Sequence, residues 1–169
     1  MFNFLTDILL IKGSIAENIK QKNSSLLSPC MVLFAAVLYG ITSYYSGTFT
    51  DQLPVYLLFA YIYMVASQLG ITLLLWAMCR LFGGTSRFMD VFIAVGYSFI
   101  PYGIMAAANA YYTPATTTGL VLILASVLYL MYLLTKVLHL LEGFSQTKAT
   151  FGIIIGFIFV SSFIYIFGY

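Results

Sequence analysis

The sequence predicts an all-α fold, a polytopic integral membrane bundle of five transmembrane helices with an amino-terminal interfacial amphipathic helix. Three observations lead there. The chain is 62% hydrophobic and only 7% charged, whereas a soluble domain is about one quarter charged. Five apolar stretches, each bounded by polar or turn-forming residues, approach or exceed the roughly 20 residues that cross a bilayer. Runs such as "LVLILASVL" lack the alternation that a membrane-spanning strand needs.

Residues 2–19 place Phe4, Ile8, Ile11, Ile15 and Ile19 on one helical face, with Asp7, Lys12 and Glu17 elsewhere on the wheel. This segment is too charged to span. It reads as a helix in the cytoplasmic interface, its lysines favouring anionic lipid, with a partner-binding amphipathic helix as the other reading. Residues 1–26 therefore precede one membrane domain, 27–169, with spans at about 27–46, 54–79, 91–111, 119–138 and 151–167.

The first span opens on Ser28 as a candidate cap, with Pro29 at the first helical position, where a missing N–H costs nothing. The second, also opened by a proline, is long enough to tilt, and Gln68 is the one amide well inside it. Such an amide bonds either to a neighbouring helix or to a substrate. Then "CRLFGGTSRFMD" turns the chain: Gly83 and Gly84 break the helix, Ser86 is a candidate cap, and Asp90 suits the positive end of the next helix. It is not a phosphate loop, because GxxxxGK[ST] is absent.

The third span contains Gly96, Pro101 and Gly103 in "GYSFIPYGIM". Pro101 cannot donate to the carbonyl of Tyr97, so a bent helix is expected, with Gln68, Ser98 or a held water supplying the missing donor. The bend reads as a static kink or, in a transporter, as a hinge beside a midplane site. Small residues four apart, Ala36/Gly40, Ala66/Gly70, Gly103/Ala107 and the candidate packing pair Gly152/Gly156, allow close helix approach within the bundle or between copies.

All seven cations fall on one side of this layout, at Lys12, Lys20, Lys22, Arg80, Arg87, Lys136 and Lys148. The amino terminus is thus expected to be cytoplasmic and the carboxyl terminus exoplasmic. Cys30 and Cys79 map near that same face and read as free packing cysteines, a disulfide or lipid anchor being the alternatives. His139, Glu142 and Asp90 could in principle meet there as metal ligands, but an interfacial histidine is the plainer reading. No nucleophile–base pair, paired carboxylates or CxxC is present within the membrane, so neither catalysis nor a cofactor or metal is expected. The small, scattered positive charge gives no reason to expect nucleic acid.

"LFGGTSRFMDVFIAVGYSFIP" resembles the central signature of the Yip domain family, the Ypt/Rab-interacting membrane proteins and their prokaryotic relatives. The resemblance rests on Gly83, Gly84, Phe88, Gly96, Tyr97, Ser98 and Pro101. The later "HLLEGFSQTKAT" is similar to the family's following turn through Gly143, Ser145, Lys148 and Ala149. The resemblance implies five helices with a cytoplasmic amino terminus. In eukaryotic members it also implies Rab-type GTPase binding, vesicle trafficking and membrane shaping, usually with a long soluble amino-terminal region. Here only about 26 residues precede the first span, as in prokaryotic members, so GTPase binding is not carried over and a bacterial plasma membrane is expected. The implied role is a membrane-organising or partner-binding scaffold, with the lipid bilayer and other membrane proteins, or further copies of itself, as partners. A small transporter or channel is the alternative.

Overall fold

A computed structural model describes residues 27–46, 52–111 and 117–167. The described residues form α1 (Leu27–Tyr45), α2 (Leu53–Leu81), α3 (Phe88–Tyr97), α4 (Phe99–Tyr111), α5 (Thr117–Glu142) and α6 (Gln146–Phe167). The amino-terminal amphipathic helix expected within 1–26 lies outside the described residues.

Three helices, Ser28–Tyr45, Leu53–Leu81 and Thr117–Glu142, are individually long and apolar enough to cross a membrane. The α3–α4 pair meets the same test jointly, bent by 54°. The described apolar stretch of α6, Gln146–Phe159, is shorter. The architecture is thus an all-α bundle with three long apolar helices, or four if the bent pair is one span, a coarser result than five spans. The fifth predicted span is preceded by a helical turn that belongs to the polar boundary, because Ser145 Oγ accepts the Lys148 N–H at 3.3 Å and caps α6. The second span is also longer than its predicted 54–79, and its 29 residues make about 43 Å of helix.

α1 and α2 run antiparallel. The Tyr39 and Tyr63 rings lie 5.4 Å apart, and near the start of α1 Ser28 Oγ accepts a hydrogen bond from Gln68 Nε2 at 3.4 Å. Along α1, Ser28, Val32, Ala35, Ala36, Gly40 and Ser43 are buried, while Leu33, Phe34, Val37 and Ile41 point outward. Both faces are largely apolar, as a helix between lipid and protein requires. Lipid tails are as apolar as leucine, so burial alone does not bind such helices together and close packing must.

α1 and α4 pack backbone against backbone. A Cβ added to Gly103 would stand 2.7 Å from Ala35 Cβ and 2.8 Å from its Cα. Gly152 and Gly156 similarly face Phe82 and Leu74, at 3.2 and 3.0 Å. The Ala66/Gly70 pair differs: both residues are exposed, and nothing lies within 4 Å of a Cβ built on Gly70. Small-residue spacing registers one helical face but not what covers it.

The α3–α4 break falls at Ser98, three residues ahead of Pro101. Ser98 N–H turns to the carbonyl of Val95 at 2.9 Å, closing α3 with a tight turn. Pro101 then occupies the first turn of α4, where its lost N–H has no intrahelical partner to miss.

Candidate functional site

The predicted site residues divide between two places. Inside the bundle, Gln68 is 2% exposed. Its Nε2 donates to the carbonyl of Phe92 at 2.9 Å as well as to Ser28 Oγ. Both partners lie on neighbouring helices, so the amide ties α1, α2 and α3 together. Gly96 makes this possible, since a Cβ there would stand 1.9 Å from Ser28 Oγ and 2.8 Å from Gln68 Nε2. Tyr97 is buried with Met31, Ala94 and Leu133 at the α1–α3–α5 junction.

This corrects two sequence readings. Ser28 lies within α1 rather than ahead of it, and its hydroxyl accepts from Gln68. Gln68 does not supply the carbonyl of Tyr97. The α2–α3 turn sets Trp76 level with Phe88, their rings 6.0 Å apart, and Gln68 level with Phe92, well short of the break. Ser98 Oγ is buried without a hydrogen-bond partner among the described residues, so it is not that donor either.

The second place is one end of the bundle, where the α2–α3 and α5–α6 turns meet. Gly83 has φ +82°, which a side chain would strain. Its N–H bonds the carbonyl of Arg80 at 3.1 Å, and that of Gly84 bonds the carbonyl of Cys79 at 2.7 Å. This paired closure, the Schellman motif, satisfies the last carbonyls of α2. Gly84 is needed for a different reason: a Cβ would meet the Cys79 carbonyl and the Glu142 carboxylate, both at 2.8 Å.

Glu142 arrives from the end of α5 and accepts the Thr85 N–H at 2.8 Å and the Ser86 N–H at 3.2 Å. Lys148 donates to the carbonyl of Phe82 at 2.7 Å, with its Nζ 4.5 Å from the centre of the Phe144 ring. Arg80 reaches the carbonyls of Gly84 and Ser86 at 3.4 and 3.3 Å. α3 is capped at Arg87, whose N–H bonds Asp90 Oδ2 at 3.2 Å, instead of at Ser86. Phe88 is wedged between Trp76 and Phe92.

The sequence reading missed this clasp because it weighed Glu142 only as a companion of His139. The available signal was its place immediately before a turn glycine, Gly143, at φ +69°. His139 Nδ1 is engaged with the carbonyl of Phe144. No group of three His, Cys, Asp or Glu that could hold a metal occurs among the described residues. Cys79 is buried as expected of a packing cysteine, but Cys30 is exposed, and both are free.

No curated protein and no solved structure matches the chain. A family model does: that of the Yip1 domain, over residues 6–168. The turn glycines, the Gln68 junction and the broken α3–α4 helix all fall inside that match, and the chain belongs to the Yip domain family, as a non-enzymatic membrane protein.

Proposed function

We propose that the protein is a scaffold of a bacterial plasma membrane that organises membrane or partner proteins, crossing the bilayer five times with its amino terminus cytoplasmic and its carboxyl terminus exoplasmic. One observation carries the scaffold reading. The end of the bundle that bears Arg80, Arg87 and Lys148 is held as a unit by side-chain-to-backbone bonds between two turns. Such an end presents a fixed polar surface at the membrane face. The same clustering supports the orientation, because short cytoplasmic segments collect Lys and Arg. A periplasm-active reporter fused after Tyr169 should be active and one fused after Lys22 silent. The reverse pattern would refute the orientation.

The 54° break between α3 and α4 favours the second reading, a small transporter or channel. Purified protein in liposomes separates the two. The scaffold should leave ion and small-solute flux at the level of empty vesicles, and robust saturable flux would establish transport instead.

A further inference from the structure

Beside the Gln68 junction lies a cleft of about 260 Å³ between the start of α1, the middle of α2 and α3. Its wall is apolar, from Pro29, Val32, Val65, Phe92 and Ile93, apart from Ser28, Gln68 and the edge residue Tyr61. The chemistry of the two buried polar groups is constrained. Gln68 Nε2 donates to Phe92 O and Ser28 Oγ, which fixes how the amide is turned. Its other polar atom, Oε1, has no hydrogen-bond partner among the described residues, although the residue is 2% exposed. Ser28 is 1% exposed and its oxygen is accepting, and among the described residues its hydroxyl hydrogen has no acceptor. Gln68 Oε1 is not one of the fully buried atoms left without a partner, so it opens onto the cleft that Gln68 lines, and an unpaired acceptor on an apolar wall selects for an occupant able to donate to it.

We infer that this cleft is a binding site for an uncharged, hydroxyl-bearing lipid, whose hydroxyl donates to Gln68 Oε1 and accepts from Ser28 O–H. Each feature of the occupant follows from the wall. No charged side chain among the described residues lines the cleft, so a carboxylate, phosphate or ammonium would find no counter-ion in this wall, at heavy cost. A plain alkane would leave the Gln68 acceptor unmet. The volume suits a small head and the first part of a chain, being at or below the lower end for ligand pockets. Tyr61 and Met89 at the rim are 37% and 59% exposed and sit on helices of the membrane bundle, so access is lateral from the bilayer. This inference is independent of the scaffold reading, since a transporter could carry the same site.

The test is photolabelling of the full chain in phosphatidylcholine vesicles. The probe is a long-chain primary alcohol with a diazirine near its hydroxyl, compared with the alkane and carboxylate of equal length carrying the same group. The alcohol should label residues 28–32, 61–68 and 89–93 roughly tenfold more than either comparator, the worth of one or two net hydrogen bonds. Gln68→Leu should bring the alcohol down to the alkane level. Val65→Phe, which fills the cleft and leaves the amide in place, should abolish labelling there while circular dichroism and melting stay unchanged, and it decides the matter if Gln68→Leu does not fold. Equal labelling by alcohol and alkane would overturn the inference. So would alcohol labelling that survives either substitution, or that maps to a second, apolar groove, lined by Leu74, Met105, Leu130 and Phe157.

Discussion

Gly103→Ala should destabilise the bundle by about 2–3 kcal/mol, the upper part of the range for overpacking a filled core. The added methyl would lie 2.7 Å from Ala35 Cβ and 2.8 Å from Ala35 Cα, whereas carbon atoms rest at about 3.5–4.0 Å. No side chain can rotate aside, because the obstacle is the backbone of α1, so α1 and α4 must separate. Separation weakens packing along a whole interface in a medium where packing is the main attraction between helices. Ala35→Gly in the same chain removes the clash with the methyl group of residue 35 but leaves the clash with its backbone, so it should recover only part of the loss. Unfolding of the single and double variants in SDS, read by circular dichroism, checks both statements. A Gly103→Ala variant as stable as the parent would mean that α1 and α4 do not pack this closely.

Glu142→Ala should cost about 1–2 kcal/mol. Hydrogen bonds to a charged acceptor are worth about 1.5–3 kcal/mol, and the figure is lowered here because Thr85 is exposed and Ser86 half-buried. The effect should be local. Amide exchange at residues 85 and 86 should accelerate, while that in the outer half of α1 stays as it was. Glu142→Gln keeps an acceptor without the charge and should fall between alanine and the parent. Unchanged exchange at 85 and 86 in Glu142→Ala would mean that water or another group already serves those amides.

How far the sequence foretold these sites depends on how far along the chain each partner lies. Gly83 and Gly84 were legible as a turn because the constraint is local: one residue needs positive φ and the next admits no side chain. The need of Gln68 for a helix partner was legible too, since an amide inside an apolar span must bond to something. Which partner was not. That depended on the level at which α2 and α3 face each other, which the turn from Phe82 to Arg87 sets. Pro101 announced a break, but the position of the break at Ser98 depends on where α3 finds its closing turn. Glu142 was invisible as a clasp because it acts on amides 56 and 57 residues earlier in the chain. Likewise Ala66/Gly70 and Gly152/Gly156 carry the same spacing, yet only the second pair is buried.

The clasp between the two turns has a consequence for biogenesis. Thr85 leaves the ribosome 57 residues before the carboxylate that receives its amide, which at 5–20 residues per second is roughly 3–11 s of translation. Throughout that interval the α2–α3 hairpin must hold its place in the bilayer with its turn open to water. The turn closes only when the carboxyl end of α5 reaches the same face of the membrane, so closure of the clasp reports that the later helices have inserted in the correct sense. A chain truncated after α4 would keep its hairpins but never acquire the closed end, which makes that end a marker by which completed molecules differ from partial ones.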